Sequence, residues 1–467
     1  MANWINTRVV IDMATGDVLE SEGFLYDGPL ALAEGLDRQA FDAALHEVIE
    51  EGVSEGVNNA NPLKDVFKTE NVPFRGREVV RLAHTSRNVS PMFVGEGGAF
   101  AEAGNQGYVK QFVGQKKMMA RIYLTWEVMQ DSATSDGAWL SARKSEMNYL
   151  IDDIARRDEH ALCSDGRGVL ALVDESPSGT TIDVDAPGGI TNDNFGNRFI
   201  SPNMYVAAVD PATGNLRTSV RKVVSVASGG GNVVFDAATY TGWADNDYLV
   251  QAANSSVTDV IDTSYEQAWW GLMAHIDDGT YRNNYFGLDR SQFPAFSSYV
   301  TSSTGALSTD LIQRVSDVLD QKFGSRINMI LAHHSTRRLI IQLTDADRRY
   351  MGASLSRPDP GTVAFKQGDI PFGDVPVRAI RDFPLDVLML LDTEKSGFRK
   401  YVSEPGKWAD EAGGGVLKQI GSGSTARDAF EAWYRIRYQY FCENPGMSAR
   451  LDGITGHSLA VQRPAGN

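Results

Sequence analysis

Two cysteines, Cys163 and Cys442, in 467 residues are too few for a disulfide framework. One closes a helical run and the other sits in an aromatic strand, so both read as buried free thiols of a reducing compartment. Long apolar runs are missing too, since none approaches the ~20 residues of a membrane span. The opening MANWINTRVVIDMATG lacks the basic, apolar pattern of a leader. These absences predict a soluble protein made in a cytoplasm, with no membrane partner. Basic charge is scarce: 44 Lys and Arg against 60 Asp and Glu give −16. That balance excludes a protein whose main work is gripping nucleic-acid phosphates, although local basic patches stay possible. Repeats with a period of 20–50 residues are absent as well.

What is present is ordinary globular material, 42% hydrophobic and long enough for about three domains. The chain is organised around residues 88–166. Two extended segments, 88–100 and 108–129, are joined by the small link AEAGNQG at 101–107. The second segment mixes aromatic, β-branched and basic residues as a strand tolerates. A helical run follows from about Asp136, its N-cap, to Cys163, with Gly166 as its stop. Trp139, Leu140, Met147, Leu150, Ile151 and Ile154 recur at helical steps, and the rod is about 40 Å long. Asp152, Asp153, Asp158 and Glu159 read as its wet face, near Arg156 and Arg157.

Elsewhere, 7–26 reads as a hairpin about Ala14–Asp17, 30–52 as an amphipathic helix and 58–87 as an extended arm. Residues 169–173 form a short buried run, and 174–255 read as an inserted small β-domain, a barrel or sandwich. A compact α/β module at 305–374 opens on a helix with Ser308 as cap and Gly324 as stop. Residues 375–467 return to β structure. There the stretch Phe430–Cys442 alternates strictly, with Tyr434, Ile436, Tyr438, Tyr440 and Cys442 on one face. The fold class is α+β.

Chemistry-bearing patterns are few. His333-His334 follows a buried strand, but adjacent strand side chains point to opposite faces and cannot easily share one metal. Asp245, Asp247, Asp277 and Asp278 read as acidic surface, with nothing to bring them together. The glycine runs at 229–231, 413–415 and 421–424 lack the Lys-Ser/Thr ending of a phosphate loop and read as turns. No catalytic, cofactor or metal site is predicted, and the protein is not expected to be an enzyme. The candidate contact residues are Lys110, Phe112, Lys116 and Lys117 in the projecting segment, set to meet a neighbouring subunit.

Phe286-Gly287-Leu288-Asp289-Arg290-Ser291 with Pro294 and Phe296, and Asn444-Pro445-Gly446-Met447-Ser448-Ala449-Arg450-Leu451-Asp452-Gly453-Ile454, resemble stretches of the major capsid protein of tailed bacteriophages. So does the opening INTRVVIDMATGDVLESEGFLYDGP. The order of parts over most of 80–455 is similar to that family's Hong Kong 97 fold. The resemblance implies an N-terminal arm (1–87), an extended loop (88–130) and a spine helix with the start of the peripheral domain (131–173). It further implies an inserted β-domain (174–255), a connection (256–304), an axial domain (305–374) and the peripheral return (375–467).

Its functional implication is an icosahedral shell around double-stranded DNA, built from pentamers and hexamers of this chain. Implied partners are a scaffolding protein, a portal, a cement or decoration protein, and packaged DNA touched weakly on the inner face. The chain would reside in the virion after assembly in the bacterial host cytoplasm. Because it starts at Met1 with the arm present, the expectation is a separate scaffold, or none, and no N-terminal cleavage. Two rivals are an encapsulin-like compartment and a β-rich carbohydrate-active or adhesive phage protein.

Overall fold

The computed structural model describes residues 4–11, 18–25, 63, 66–70, 78–125, 138–175, 179–190, 195–228, 230–237, 242–348, 370–372, 375–408, 418–420 and 427–456. The helix expected at 30–52, the turn at 14–17, the cap Asp136 and the glycine runs 413–415 and 421–424 lie outside the described residues. Trp4–Ile11 and Val18–Leu25 pair antiparallel.

The main body begins with β1 (Lys68–Glu70), β2 (Glu78–Ser86), β3 (Gly107–Gly114) and β4 (Lys116–Thr125), then helix α1 (Ala138–Cys163). Next come β5 (Val169–Asp174), β6 (Thr181–Asp185), β7 (Tyr205–Val209), β8 (Leu216–Val226), β9 (Asn232–Phe235) and β10 (Tyr248–Gln251). After β11 (Tyr299–Thr301) follow α2 (Thr309–Phe323), β12 (Met329–Ala332), α3 (His334–Arg348), β13 (Ile370–Phe372), β14 (Val375–Ala379) and β15 (Leu388–Leu391). Towards the C-terminus come β16 (Phe398–Trp408), β17 (Lys418–Gln419), β18 (Ala429–Cys442) and β19 (Ala449–Leu451). The architecture is mixed α+β.

Strand β18 is the spine of the largest core. It pairs antiparallel with β16 along one edge and with β4, from Ala429↔Thr125 to Tyr438↔Lys116, along the other. The period of two turns Ala432, Tyr434, Ile436, Tyr438 and Tyr440 to one face, where all are buried. Against that face lie Ile154 and Leu162 of α1, with Leu150 and Ile151 partly buried beside them. Trp269 stacks on Tyr438 with ring centroids 4.0 Å apart. Burial of these large aromatic surfaces is the main force holding helix to sheet.

A second core lies in a six-stranded mixed sheet ordered β11-β19-β15-β12-β14-β13, packed against α2 and α3. Helix α2 is read well by its sequence. Ser308 accepts a hydrogen bond from the Leu311 N–H at 3.2 Å, Gly324 ends the helix at φ 62°, and Ile312, Val315 and Leu319 face inward. His333 is buried before α3, its Nδ1 accepting from the Ser335 N–H at 3.2 Å, so its place in the fold is a local hydrogen bond.

Two boundaries differ from the sequence reading. The strand pair expected from 88–100 and 108–129 is formed instead by β2 and β3, and 87–106 connects them. Pro91 and Gly95, Gly97 and Gly98 break a ladder there, whereas 78–86 alternates cleanly between buried and open positions. The second segment also divides at Gln115, with β3 pairing β2 and β4 pairing β18. The β-rich insertion expected at 174 begins at Val169. Residues 169–173, read as a separate run, supply a strand of a closed six-stranded barrel ordered β8-β9-β6-β5-β10-β7. Strand β5 is nearly continuous in apolar residues because it is buried on both faces.

Candidate interaction surface

The β2–β3 hairpin has two unlike faces. Val79, Ala83 and Val113 point inward, onto Tyr285, Phe286, Leu288, Tyr401 and Phe441. Arg81 adds an ion pair to Glu443 at 2.5 Å and lies 5.5 Å from the centroid of the Phe441 ring. The Phe112 N–H donates to the Phe286 carbonyl at 2.9 Å, tying the hairpin to the turn that follows the short helix Leu272–His275. Phe286 itself has φ 51° and Gly287 φ 94°, a tight left-handed turn that brings this backbone against β3.

The opposite face is open. Cross-strand pairs Val80↔Phe112, Leu82↔Lys110 and His84↔Tyr108 share it, and Leu82 is 69% exposed. The loop 87–106 adds Val89 at 86% exposed, with Met92, Phe93, Val94 and Phe100. Among the described residues, nine of the fifteen exposed large apolar side chains lie on this hairpin and its loop, between Val80 and Phe112. Apolar surface concentrated this way on one projection marks a binding surface. The root is packed against the body and the tip is apolar and exposed.

The four predicted contact residues do not share one environment. Lys110 and Phe112 lie on the open hairpin face. Lys117 is exposed on β4, opposite Arg437. Lys116 turns back into its own chain, its Nζ donating to the Glu266 carbonyl at 2.5 Å. Burial pushes its pKa down, with Glu266 opposing and Arg282 adding to the effect.

Several carboxylates read as surface are in fact interior. Asp158 is 1% exposed and accepts from the Tyr438 hydroxyl at 2.5 Å and the Tyr440 hydroxyl at 2.9 Å. Glu159 faces Asp382, Arg381 and Arg198, and its pKa is pushed up to about 7, first by burial and then by Asp382. Next to it His160 stacks on Phe199 at 3.8 Å, and burial drives its pKa down to about 3. A cavity with room for about one water separates His160 and Cys163 from Arg198 and Asp382, where helix, barrel and sheet meet. Asp247 is held by Arg217 at 3.0 Å.

Asp277 is the most consequential. It is fully buried beside Arg450, whose Nη2 donates to its Oδ1 at 3.1 Å. Arg450 also donates to the carbonyls of Met273 and Ile276 at 3.0 and 2.6 Å, and Arg290 to those of Ala274 and His275 at 2.7 and 3.0 Å. The two stretches that carried the family resemblance therefore converge on one short helical turn. Sequence reasoning missed these sites because a helix or loop carboxylate shows its burial only when its partner, far along the chain, is placed. The spacing of Asp158 from the apolar residues of α1 was the one available signal. Among the described residues no cluster of three or more His, Cys, Asp and Glu is arranged to hold a metal ion.

No family model matches the sequence, and no curated protein matches it. Among solved structures, the fold is similar to a chain of the cyanophage A-1(L) capsid asymmetric unit. The TM-score is 0.50 at 11% identity, over 85% of this chain and 93% of that one. A chain of Mycobacterium phage Bobi aligns at TM-score 0.41 and 11% identity, over 85% and 91% of the two chains. A chain of the capsid of an empty GTA particle aligns at TM-score 0.41 and 12% identity, over 84% and 90%. The first of these likenesses fixes the fold as one used by a phage capsid chain.

Proposed function

We propose that this chain is the major capsid protein of a tailed phage, a non-catalytic subunit whose copies close into an icosahedral shell around double-stranded DNA. The observation that carries the reading is the hairpin. Its inner face is locked to the body and, among the described residues, its outer face and loop gather most of the exposed large apolar side chains, on a fold shared with a capsid chain. An exposed apolar projection of this size is a contact surface. A subunit that must grip its neighbour needs one, because heterologous contacts that close generate rings and then a container. Each such interface has to bury well over ~1,000 Å².

In this assignment β2, β3 and their loop are the extended loop, reaching back to residue 78 rather than 88. Helix α1 is the spine, the β18 sheet the peripheral domain and the α2–α3 sheet the axial domain at the centre of pentamers and hexamers. The barrel is the inserted domain. Phe112 and Lys110, with Lys117, face the neighbouring copy. Scaffold, portal and a cement protein are the expected further partners, with the virion as the place of residence and the host cytoplasm as the place of assembly. A chain lacking 89–104 tests the reading by light scattering. The expected result is a folded subunit that forms no large particle. Normal particles from it would refute the assignment of the hairpin.

A further inference from the structure

The barrel meets the rest of the chain along a polar seam. Its two apolar clusters draw only on residues between Val169 and Tyr265, and from that stretch Ile190 alone, among the described residues, packs into the helix–sheet core. The chain crosses to the barrel and back over two leads lying side by side. Ser264 Oγ donates to the Gly168 carbonyl at 2.8 Å, and the Glu266 N–H to the Arg167 carbonyl at 2.8 Å. On the barrel side the turn Gly196–Phe199 is pinned by Asn197, whose Nδ2 donates to the Ala227 carbonyl at 2.8 Å. From this turn Phe199 stacks on His160 of α1, and Arg198 reaches Asp382, beyond β14, at 3.6 Å. Arg381 holds Asp382 at 3.0 Å but approaches Glu159 only to 3.8 Å, with more than half of its side chain exposed. Both guanidinium groups thus close on Asp382. Glu159, 8% exposed on α1, faces that carboxylate with Arg381 as a distant, solvated partner. Asp158 and Cys163 of the same helix complete its surroundings, and His334 at the start of α3 lies near Arg198. Two modules with separate cores and a charged seam between them can shift as units.

We propose that this seam is a proton-operated joint, which holds the barrel on the body while Glu159 keeps its proton and loosens when Glu159 ionises. The joint lies within one subunit and operates with or without a shell. An ionised Glu159 adds a second negative charge where bulk water is excluded and Asp382 already engages both arginines, so an opening that hydrates it becomes easier. Burial, then Asp382, push its carboxyl up to about 7 against an ordinary 4.5. The closed seam is therefore favoured in full below 4.5, and that advantage is lost as pH rises through 7. His160 has the opposite slope. Burial, then Arg157, drive it down to about 3, so its support for the closed seam fades as pH falls from 6.5 toward 3. Its Nε2 has no hydrogen-bond partner among the described residues, and a proton added there faces Arg157 and Arg198. The seam is thus firmest in mildly acidic solution and poised to loosen near neutrality.

The two cysteines supply the readout. Cys163 lines the seam cavity and is 2% exposed, whereas Cys442 is 0% exposed within the β18 sheet. In unassembled protein carrying Cys442→Ala, the rate at which Cys163 reacts with dithiodipyridine follows opening of the joint. Dividing that rate by the rate with Glu159→Gln added cancels the ionisation of the thiol and the slope from His160. The quotient is expected to rise about fivefold to tenfold between pH 6 and pH 8. Arg198→Gln removes the ion pair from the barrel to Asp382 and should raise the Cys163 rate about twofold to fivefold at every pH. In urea well below the unfolding transition the Cys163 rate should stay nearly level. Cys442, followed in Cys163→Ala protein, should react more slowly and accelerate steeply with urea, because only wide unfolding exposes it. A quotient that stays flat from pH 6 to pH 8 overturns the joint, as does an unchanged rate in Arg198→Gln. Cys163 reacting as slowly as Cys442, with the same urea dependence, overturns it too.

Discussion

Replacing Arg450 with Met should cost several kcal/mol, because it strips a fully buried ion pair of its cation. The side chain is 0% exposed, as is that of Asp277, and four of its hydrogen bonds go to Asp277, Asp452 and the carbonyls of Met273 and Ile276. Met fills most of the volume and supplies no donor. Asp277 keeps the backbone N–H groups of Gly279, Tyr281 and Arg282 at 2.8–3.1 Å but loses its ion-pair partner. Breaking a buried pair in this way costs about 3–5 kcal/mol, a large share of a stability of about 5–15 kcal/mol. Urea titration of the unassembled subunit should show the midpoint falling by roughly a third or more with the slope unchanged. Arg450→Lys keeps the charge but not the fork, and should fall between wild type and Arg450→Met. Adding Asp277→Asn to Arg450→Met should recover about 1–3 kcal/mol, because the uncompensated charge is gone. A loss below about 1 kcal/mol for Arg450→Met, or no recovery in the double variant, would refute the view that these two motifs clamp one helical turn.

Other outcomes follow from the same geometry. Tyr440→Phe removes one of the two hydroxyls on Asp158 and should cost about 1.5–3 kcal/mol in the same titration. Glu159 has a folded pKa of about 7 against an ordinary 4.5. Its contribution is therefore complete below 4.5 and is lost as pH rises through 7. Melting compared between wild type and Glu159→Gln should show the variant gaining on wild type across that window, by on the order of 1–2 kcal/mol after screening by Arg198 and Arg381. His160, held near 3 against 6.5, has the opposite sign, so its contribution fades as pH falls from 6.5 toward 3. His160→Leu should then soften the acid limb. Leu82→Glu with Phe112→Glu, both on the open hairpin face, should leave subunit melting within about 0.5 kcal/mol while preventing large particles in light scattering.

Local rules carried far in this chain. The alternation in 430–442 identified the central strand and its buried face, and Ser308 and Gly324 bounded α2, because capping and period act over a few residues. Residues 87–106 misled because Phe93, Val94 and Phe100 look like strand material, while Pro91 and the glycines deny them a ladder. Asp158 and Asp277 misled for another reason. Their partners Tyr438, Tyr440 and Arg450 stand more than 150 residues away, and nothing nearby reports that a carboxylate will be sealed by them.

The central claim is that copies of this chain close into a shell around DNA. Electron microscopy of the purified protein tests it most directly. The account predicts closed particles of uniform diameter with pentamers and hexamers on the surface and the hairpin of each subunit lying over its neighbour. A protein that stays a small oligomer under every condition would contradict it.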